Sequence, residues 1–140
     1  MIIEQGKDGQ AAEYVSKKLL EYNQSKIPSG LSREFEPINL FVKNEDGDIL
    51  GGLLAMSYWG SMEVNVLWVD DSLRGQGYGA KLLSQMEDIA VAKGCNSIEL
   101  NTFGFQAPGF YEKQGYKLCG VYENVPKGYN RYFYLKHLTE

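Results

Sequence analysis

Runs of apolar residues divide the chain into short strands and amphipathic helices. Runs rich in β-branched and aromatic residues predict strands, because these side chains suit a pleated, half-buried surface. Such runs lie at 38–43, 49–58, 62–69, 97–102, 116–123 and 130–136, and residues 1–3 predict a short edge strand. Apolar residues recur at helical spacing over about 9–24 and after Gly79. A shorter helix is predicted between Pro108 and Gly115.

Two kinds of connection join the predicted strands. The turn residues Asn-Glu-Asp-Gly-Asp at 44–48 join the runs 38–43 and 49–58 as a hairpin. A helix without any hairpin turn separates the runs 62–69 and 97–102, which predicts a right-handed parallel crossover. No repeat, low-complexity segment or linker interrupts the sequence, so residues 1–140 are predicted to form one domain.

Composition narrows the class of protein. The 140 residues are 44% apolar, which is enough for a core, and the net charge of −4 weighs against nucleic acid as a partner. The sequence shows no secretory signal and no apolar run of membrane-spanning length, so a cytoplasmic protein is expected. Cys95 and Cys119 are then expected to be reduced thiols, and Cys119 is expected to be buried. The single histidine, His137, excludes a histidine-rich metal site, and no metal is expected.

The central feature is the stretch 64–78, VNVLWVDDSLRGQGY, with the helix after it. Its apolar start predicts a buried strand, and Arg74-Gly75-Gln76-Gly77-Tyr78-Gly79 then forms a glycine-rich turn into the helix. Glycines let a backbone approach a ligand closely, and free N–H groups at a helix start attract anions. This strand, turn and helix therefore predict a phosphate-binding site.

Three classes of protein use such a turn. A P-loop needs Gly-Lys-Ser or Gly-Lys-Thr, and neither occurs in the chain. A dinucleotide-binding turn needs G-x-G-x-x-G/A, which residues 75–80 satisfy, but three strands and a helix precede it and only 61 residues follow Gly79. The third pattern, (Gln/Arg)-x-x-Gly-x-(Gly/Ala), is that of the acetyl-CoA loop of the GCN5-related N-acetyltransferases, and residues 74–79 fit it.

The chain resembles a bacterial GCN5-related N-acetyltransferase (GNAT) along almost its whole length. One motif is the strand with the glycine turn at 66–79. The other, APGFYEKQGY at 107–116, is similar to the family's short helix, and the two lie about 30 residues apart. The resemblance implies the α/β acyl-CoA N-acyltransferase fold, with a mixed, mostly antiparallel, twisted sheet of about seven strands and helices on both faces. It also implies acetyl-CoA as the acyl donor.

The resemblance assigns residues to the donor. Backbone N–H groups of the turn would hold the pyrophosphate of coenzyme A, and the pantetheine arm would pair with the backbone of Leu67 and Val69. A backbone N–H near Leu67 would polarise the thioester carbonyl. The implied cofactor-binding residues are Leu67, Trp68, Val69, Arg74, Gly75, Gln76, Gly77, Tyr78, Gly79, Asn101 and Phe110.

Direct acetyl transfer to an amine needs a base and an acid. The amine must lose a proton before it attacks the thioester, and the departing thiolate must gain one. By the resemblance, Tyr111 is the acid. Glu63 is the candidate base, with Glu99 or a water chain as alternatives.

Neither the acceptor nor the assembly is fixed by the sequence. Acidic and aromatic residues that are candidates for an acceptor pocket are Glu34, Glu36, Tyr58 and Trp59, and the acceptor is a small amine or a peptide amine. An acyl-CoA-binding sensor without turnover is one alternative function, and a nicotinamide-dinucleotide oxidoreductase is a remote one. The aromatic-rich C-terminal strands are consistent with a homodimer formed through them, and the alternative is that the same aromatic residues fill the core.

Overall fold

The structure, a computed structural model, describes residues 1–27 and 35–138 and divides the chain into two compact units, Met1–Arg33 and Glu34–Glu140. The first unit contains helix α1, Gly9–Lys26. The Asp8 carboxylate accepts hydrogen bonds from the N–H groups of Gln10 and Ala11 at 3.0 and 3.4 Å, and so caps the helix as its residue type predicts. In the part of the chain that is described, no helix is both long and apolar enough to cross a membrane.

The second unit is a six-stranded sheet with two further helices. The strands are β1 Glu36–Lys43, β2 Ile49–Tyr58, β3 Ser61–Val69, β4 Ser97–Phe103, β5 Lys117–Tyr122 and β6 Arg131–His137. A 3-10 turn at Asp71–Leu73 precedes helix α2, Tyr78–Ala92, and helix α3 spans Pro108–Lys113. The strand order is β1-β2-β3-β4-β6-β5, and only β3 and β4 pair in parallel. The predicted mixed, mostly antiparallel fold is thus confirmed.

The sheet has six strands rather than about seven, and the first three residues account for the difference. The predicted edge strand at Met1, Ile2 and Ile3 is absent, and all three side chains are exposed. A strand forms only where a neighbour takes up its backbone N–H and C=O groups, and these residues pair with no strand in the described ranges.

One face of the sheet carries the core. Leu82, Leu83, Met86 and Ala90 of α2 pack on this face, together with buried residues of β2, β3 and β4. Complete burial of a large aliphatic side chain contributes about 1.5–3 kcal/mol, so α2 is held mainly by this apolar stripe. Helix α3 adds Tyr111 to the same core.

A bulge in β3 splits the sheet. Leu54 pairs with Val66 and Ala55 with Val64, so Asn65 is an extra residue on β3. Pairing of β3 with β4 ends at Val64 and Leu100, although both strands continue. The second half of β3 therefore has a free backbone edge toward β4.

Cys119 is exposed, whereas burial was predicted. The register between β5 and β6 shifts between Leu118 and Gly120, which makes Cys119 the bulged residue. A bulged residue leaves the alternation of inward and outward side chains, so the pattern misplaces it. Cys95 is buried and both thiols are free.

Candidate active site

A cavity of about 850 Å³ lies where β3 and β4 separate. It is bordered by the second half of β3, the turn before α2, the end of β4 and the start of α3. The lining residues are Val64, Asn65, Val66, Leu67, Trp68, Val69, Leu73, Arg74, Gly75, Gly77, Gly79, Ala80, Leu100, Asn101, Thr102, Phe105, Gln106, Ala107, Phe110 and Tyr111. The split sheet thus opens a passage between its two faces.

The free edge of β3 turns its backbone toward this cavity at two residues. The Asp70 N–H donates to the Leu50 carbonyl oxygen at 2.8 Å, so Asp70 is bonded to β2. Because backbone groups alternate sides along a strand, Trp68 is bonded to β2 as well, and the N–H and C=O groups of Leu67 and Val69 point away from it. An extended ligand can therefore pair with Leu67 and Val69.

The glycine turn leaves the start of α2 uncapped. Gly75 and Gly77 have φ values of 76° and 79°, in the left-handed region that glycine adopts without strain. Gly77 is the N-cap and supplies no side chain, and the first helical bond runs from the Lys81 N–H to the Gly77 carbonyl oxygen. The backbone N–H groups of residues 78–80 have no acceptor in the described residues, which makes this end of α2 suited to a phosphate.

Arg74 lies at the edge of this site and forms an ion pair with Asp71. Its Nε lies 2.8 Å from Asp71 Oδ1, and both side chains are largely exposed. An exposed pair of this kind is held by at most about 1 kcal/mol. A phosphate at the helix start can therefore compete with Asp71 for the guanidinium.

Tyr111 borders the cavity from the core side of the sheet. The residue is 9% exposed, and its ring contacts Phe110, Tyr116 and Tyr134 at centroid distances of 5.2, 6.1 and 6.0 Å. Its hydroxyl makes no hydrogen bond within the described residues, and burial raises its pKa. Tyr111 therefore keeps its proton at neutral pH, and as a residue that lines the cavity it is a candidate proton donor.

Glu63 and Glu99 lie side by side on the opposite face, since they are paired in the parallel ladder. The Tyr58 hydroxyl donates to Glu63 Oε2 at 2.8 Å and approaches Glu99 Oε1 at 3.3 Å. Burial and the two carboxylates raise the pKa of Tyr58, so it remains a donor. Neither glutamate borders the cavity, although Glu63 directly precedes Val64, which does.

Most of the predicted cofactor residues border the cavity, and two do not. The Gln76 side-chain amide donates to the Ser72 carbonyl oxygen at 3.3 Å, and the Tyr78 ring lies 4.7 Å from the Lys81 ammonium. The side chains of Gln76 and Tyr78 are therefore engaged locally. The Gln76 N–H donates to the Leu73 carbonyl oxygen at 3.4 Å, whereas the Tyr78 N–H has no acceptor among the described residues.

The predicted acceptor-pocket residues do not form one group. Glu34 lies outside the described residues, and Glu36 Oε2 pairs with Lys93 Nζ at 2.7 Å. The Trp59 ring packs against Tyr58 and Phe35. Of these four residues, only Tyr58 is described as hydrogen-bonded to Glu63 and Glu99.

Sequence reasoning missed the segment after β4. Gln106 Oε1 accepts hydrogen bonds from the Thr102 hydroxyl at 2.9 Å and the Phe103 N–H at 2.7 Å, which fixes this turn beside the cavity. Phe105 and Gln106 both border the cavity. A polar side chain two residues before Pro108 gives no recognisable motif, so no signal in the sequence marks Gln106.

Comparisons with known proteins agree on one family. The model of the acetyltransferase (GNAT) family matches residues 10–116. The blasticidin-S acetyltransferase of Streptomyces morookaense is 34% identical over 108 residues, covering 76% of this chain and 79% of that protein. The crystal structure of an acetyltransferase from Bacillus cereus is 42% identical with a TM-score of 0.92, covering 98% of this chain and 97% of that one. An aminoglycoside 6'-N-acetyltransferase complexed with coenzyme A has a TM-score of 0.67 at 19% identity, covering 100% of this chain and 98% of that one, and so shares the fold.

Proposed function

This chain is an acetyltransferase of the GNAT family, and we propose that it moves the acetyl group of acetyl-CoA to a primary amine by direct attack in a ternary complex. The observation that carries the proposal is the opening between β3 and β4. It brings a free strand edge, an uncapped helix start and a buried tyrosine to a single cavity.

The donor fits this cavity in two parts. The pantetheine arm, which carries amide groups, pairs with the N–H and C=O groups of Leu67 and Val69 as an additional strand would. Its pyrophosphate lies on the backbone N–H groups of the turn and the first residues of α2, next to Arg74. Trp68, Asn101 and Phe110 line the same cavity, which supports their assignment as neighbours of the arm. The aminoglycoside 6'-N-acetyltransferase of the same fold, which holds coenzyme A, supports this assignment.

The reaction moves protons at nitrogen and at sulfur. The protonated amine loses one proton to the base, its lone pair attacks the thioester carbon, and the negative charge on the oxygen is stabilised by the backbone N–H of Leu67. The carbon–sulfur bond then breaks, the departing thiolate takes the proton of the Tyr111 hydroxyl, and the nitrogen loses its second proton through water to the tyrosinate, which leaves the neutral amide and restores Tyr111. Because burial raises the pKa of Tyr111, its hydroxyl proton is available throughout the neutral range.

Glu63 is the proposed base. Its Oε2 accepts the Tyr58 hydrogen bond, which orients the carboxylate and leaves Oε1 to receive a proton. Since Glu63 does not border the cavity, the proton reaches it through water. Glu99, the neighbour that shares Tyr58, is the alternative.

Calorimetry and thiol release test this function together. Acetyl-CoA is titrated into the protein with NADH in parallel, and released thiol is then measured with a panel of small amines, peptide amines and blasticidin S. Saturable acetyl-CoA binding and thiol release with an amine are expected. Binding without release from any amine would favour an acyl-CoA sensor, and a preference for NADH would overturn the donor assignment.

Three further features stay predictions. They are the cytoplasmic location, the homodimer formed through the C-terminal strands, and the action of residues 1–140 as a single domain without metal. The described residues contain no group of three or more His, Cys, Asp or Glu side chains that could hold a metal ion.

A further inference from the structure

Arg131 stands at the start of β6 on the face opposite the core. It pairs directly with Phe103, and Asn101 and Phe103 share this face because side chains two residues apart on a strand point the same way. Asn101 borders the cavity. Arg131 therefore lies beside the opening, on the face where Glu63 and Glu99 also lie.

The guanidinium of Arg131 is held in place. Its Nε donates to Asn101 Oδ1 at 2.9 Å, and its Cζ lies 5.3 Å from the ring centroids of both Phe103 and Phe133. Contacts of this kind with two aromatic faces orient a cation without neutralising its charge. The side chain is thus fixed before any ligand arrives, which lowers the entropic cost of binding one.

The charge of Arg131 has no protein partner in the described residues. No carboxylate lies within 4.0 Å of it, and its two terminal nitrogens make no described hydrogen bond. A guanidinium presents these donors as a planar fork, which matches the two oxygens of a carboxylate. A pre-oriented and unpaired fork beside a cavity is suited to an anionic group.

Charge on this face of the sheet changes sign along β4. Glu99, paired with Glu63, lies two residues before Asn101, which binds Arg131. Arg131 itself is paired with Phe103, and its side chain reaches back to Asn101, so at about 3.3 Å per residue the guanidinium lies at least about 7 Å from Glu99 along the strand. The face therefore complements a molecule with a cationic group at one end and an anionic group at the other.

We propose that Arg131 binds a carboxylate of the acceptor, so that the acceptor is a primary amine that carries a carboxylate several carbons from its nitrogen. This inference rests on the proposed acetyl transfer to an amine. The amine is oriented toward Glu63 and Glu99, and the carboxylate is held by the free fork of Arg131. The acceptor class is then that of amino acids with a chain of several carbons between the two groups.

Three amines of equal length test the inference in the wild-type protein. They are 5-aminopentanoate, its neutral amide 5-aminopentanamide, and 1,5-diaminopentane, which places a cation where the first has a carboxylate. We expect kcat/KM for thiol release to be about tenfold higher with the carboxylate than with the amide, because a charge-assisted pair is worth roughly 1.4 kcal/mol or more. We expect the lowest kcat/KM of the three with the diamine.

Two variants assign this preference to Arg131. Arg131→Gln should reduce the carboxylate-to-amide ratio to about one, and Arg131→Lys, which keeps the charge but loses the fork, should retain part of it. Lys43→Gln removes an equal charge from the exposed end of β1 and should leave the ratio unchanged. A loss of folding would lower all rates together, whereas the ratio reports only on the recognition of the carboxylate.

Several outcomes would overturn the inference. These are an equal or higher rate with the amide or the diamine, or a carboxylate preference that persists in Arg131→Gln. Absence of thiol release with all three amines would overturn it as well. The proposed function would survive that result if other amines of the panel react, and would fall if acetyl-CoA is not bound.

Discussion

The two faces of the sheet differ in how their polar groups are satisfied. On the core face, Tyr111 of α3 lies among aromatic rings, and its hydroxyl has no described partner. On the opposite face, Tyr58 is bonded to two carboxylates and Arg131 to Asn101. The first face is mainly apolar and brings the Tyr111 hydroxyl group to the border of the cavity, and the second carries charges of both signs beside the opening.

This difference suits the two halves of the proposed reaction. The leaving thiolate needs a group that keeps its proton, which burial provides, and the incoming amine needs carboxylates, which tolerate exposure to water. The split between β3 and β4 is where both faces reach one cavity.

The largest effect should follow from removal of the hydroxyl on the core face. Tyr111→Phe should lower kcat by about 10²–10⁴-fold, since the thiolate would leave without a proton donor. Calorimetry should still show acetyl-CoA binding.

Tyr134→Phe is the matched control, because Tyr134 is also buried in this core but does not border the cavity. Equal losses in both variants would mean that Tyr111 acts only through packing. Because burial raises the pKa of Tyr111, wild-type activity that depends on its proton should persist at least up to the ordinary tyrosine pKa of about 10.

Removal of the carboxylate on the opposite face should have the next largest effect. Glu63→Gln should lower kcat/KM by about 10²-fold at neutral pH, where the amine is mostly protonated. The deficit should shrink as the pH rises toward the pKa of the amine, because the free base then forms without help. A pH profile of initial rates measures this. Glu99→Gln is the comparison, and a larger loss there would make Glu99 the base.

Charge reversal at the glycine turn should affect the donor alone. Arg74→Glu should weaken acetyl-CoA binding about tenfold in a calorimetric titration, since it places a carboxylate beside the pyrophosphate. Asp71→Asn should strengthen binding slightly, because it removes the residue that competes for Arg74. Unchanged affinity in Arg74→Glu would place the pyrophosphate elsewhere.

The smallest effect is expected on stability, for the polar network that joins Lys136, Glu87 and Tyr116. Lys136 Nζ binds Glu87 Oε1 at 2.8 Å and the carbonyl oxygen of Gln114 at 2.9 Å, and the Tyr116 hydroxyl donates to Glu87 Oε2. Glu87→Gln should lower the free energy of unfolding by about 1–1.5 kcal/mol, measured by urea denaturation. Glu36→Gln breaks the more exposed pair with Lys93 and should cost less than about 1 kcal/mol. A larger loss in Glu36→Gln would contradict this ranking.

The sequence indicates the parts of the site that are local in the chain. The glycine turn and the helix around Tyr111 are continuous segments, so their residue types and spacing mark them. The Tyr58, Glu63 and Glu99 group depends instead on the register of three strands, and the bulge at Asn65 leaves no motif. The position of Arg131 beside Asn101 follows only from the pairing of β4 with β6. The edge strand predicted at residues 1–3 and the burial predicted for Cys119 are wrong for the same reason, because both depend on how strands pair.

The central claim is that the donor pairs with the free edge of β3, and amide hydrogen exchange followed by NMR tests it most directly. Acetyl-CoA should slow exchange at the N–H groups of Leu67 and Val69, which face the cavity. The Trp68 N–H should change little, because it is already bonded to β2. NADH should protect neither Leu67 nor Val69. Exchange at Leu67 and Val69 that is unaffected by saturating acetyl-CoA would contradict the account.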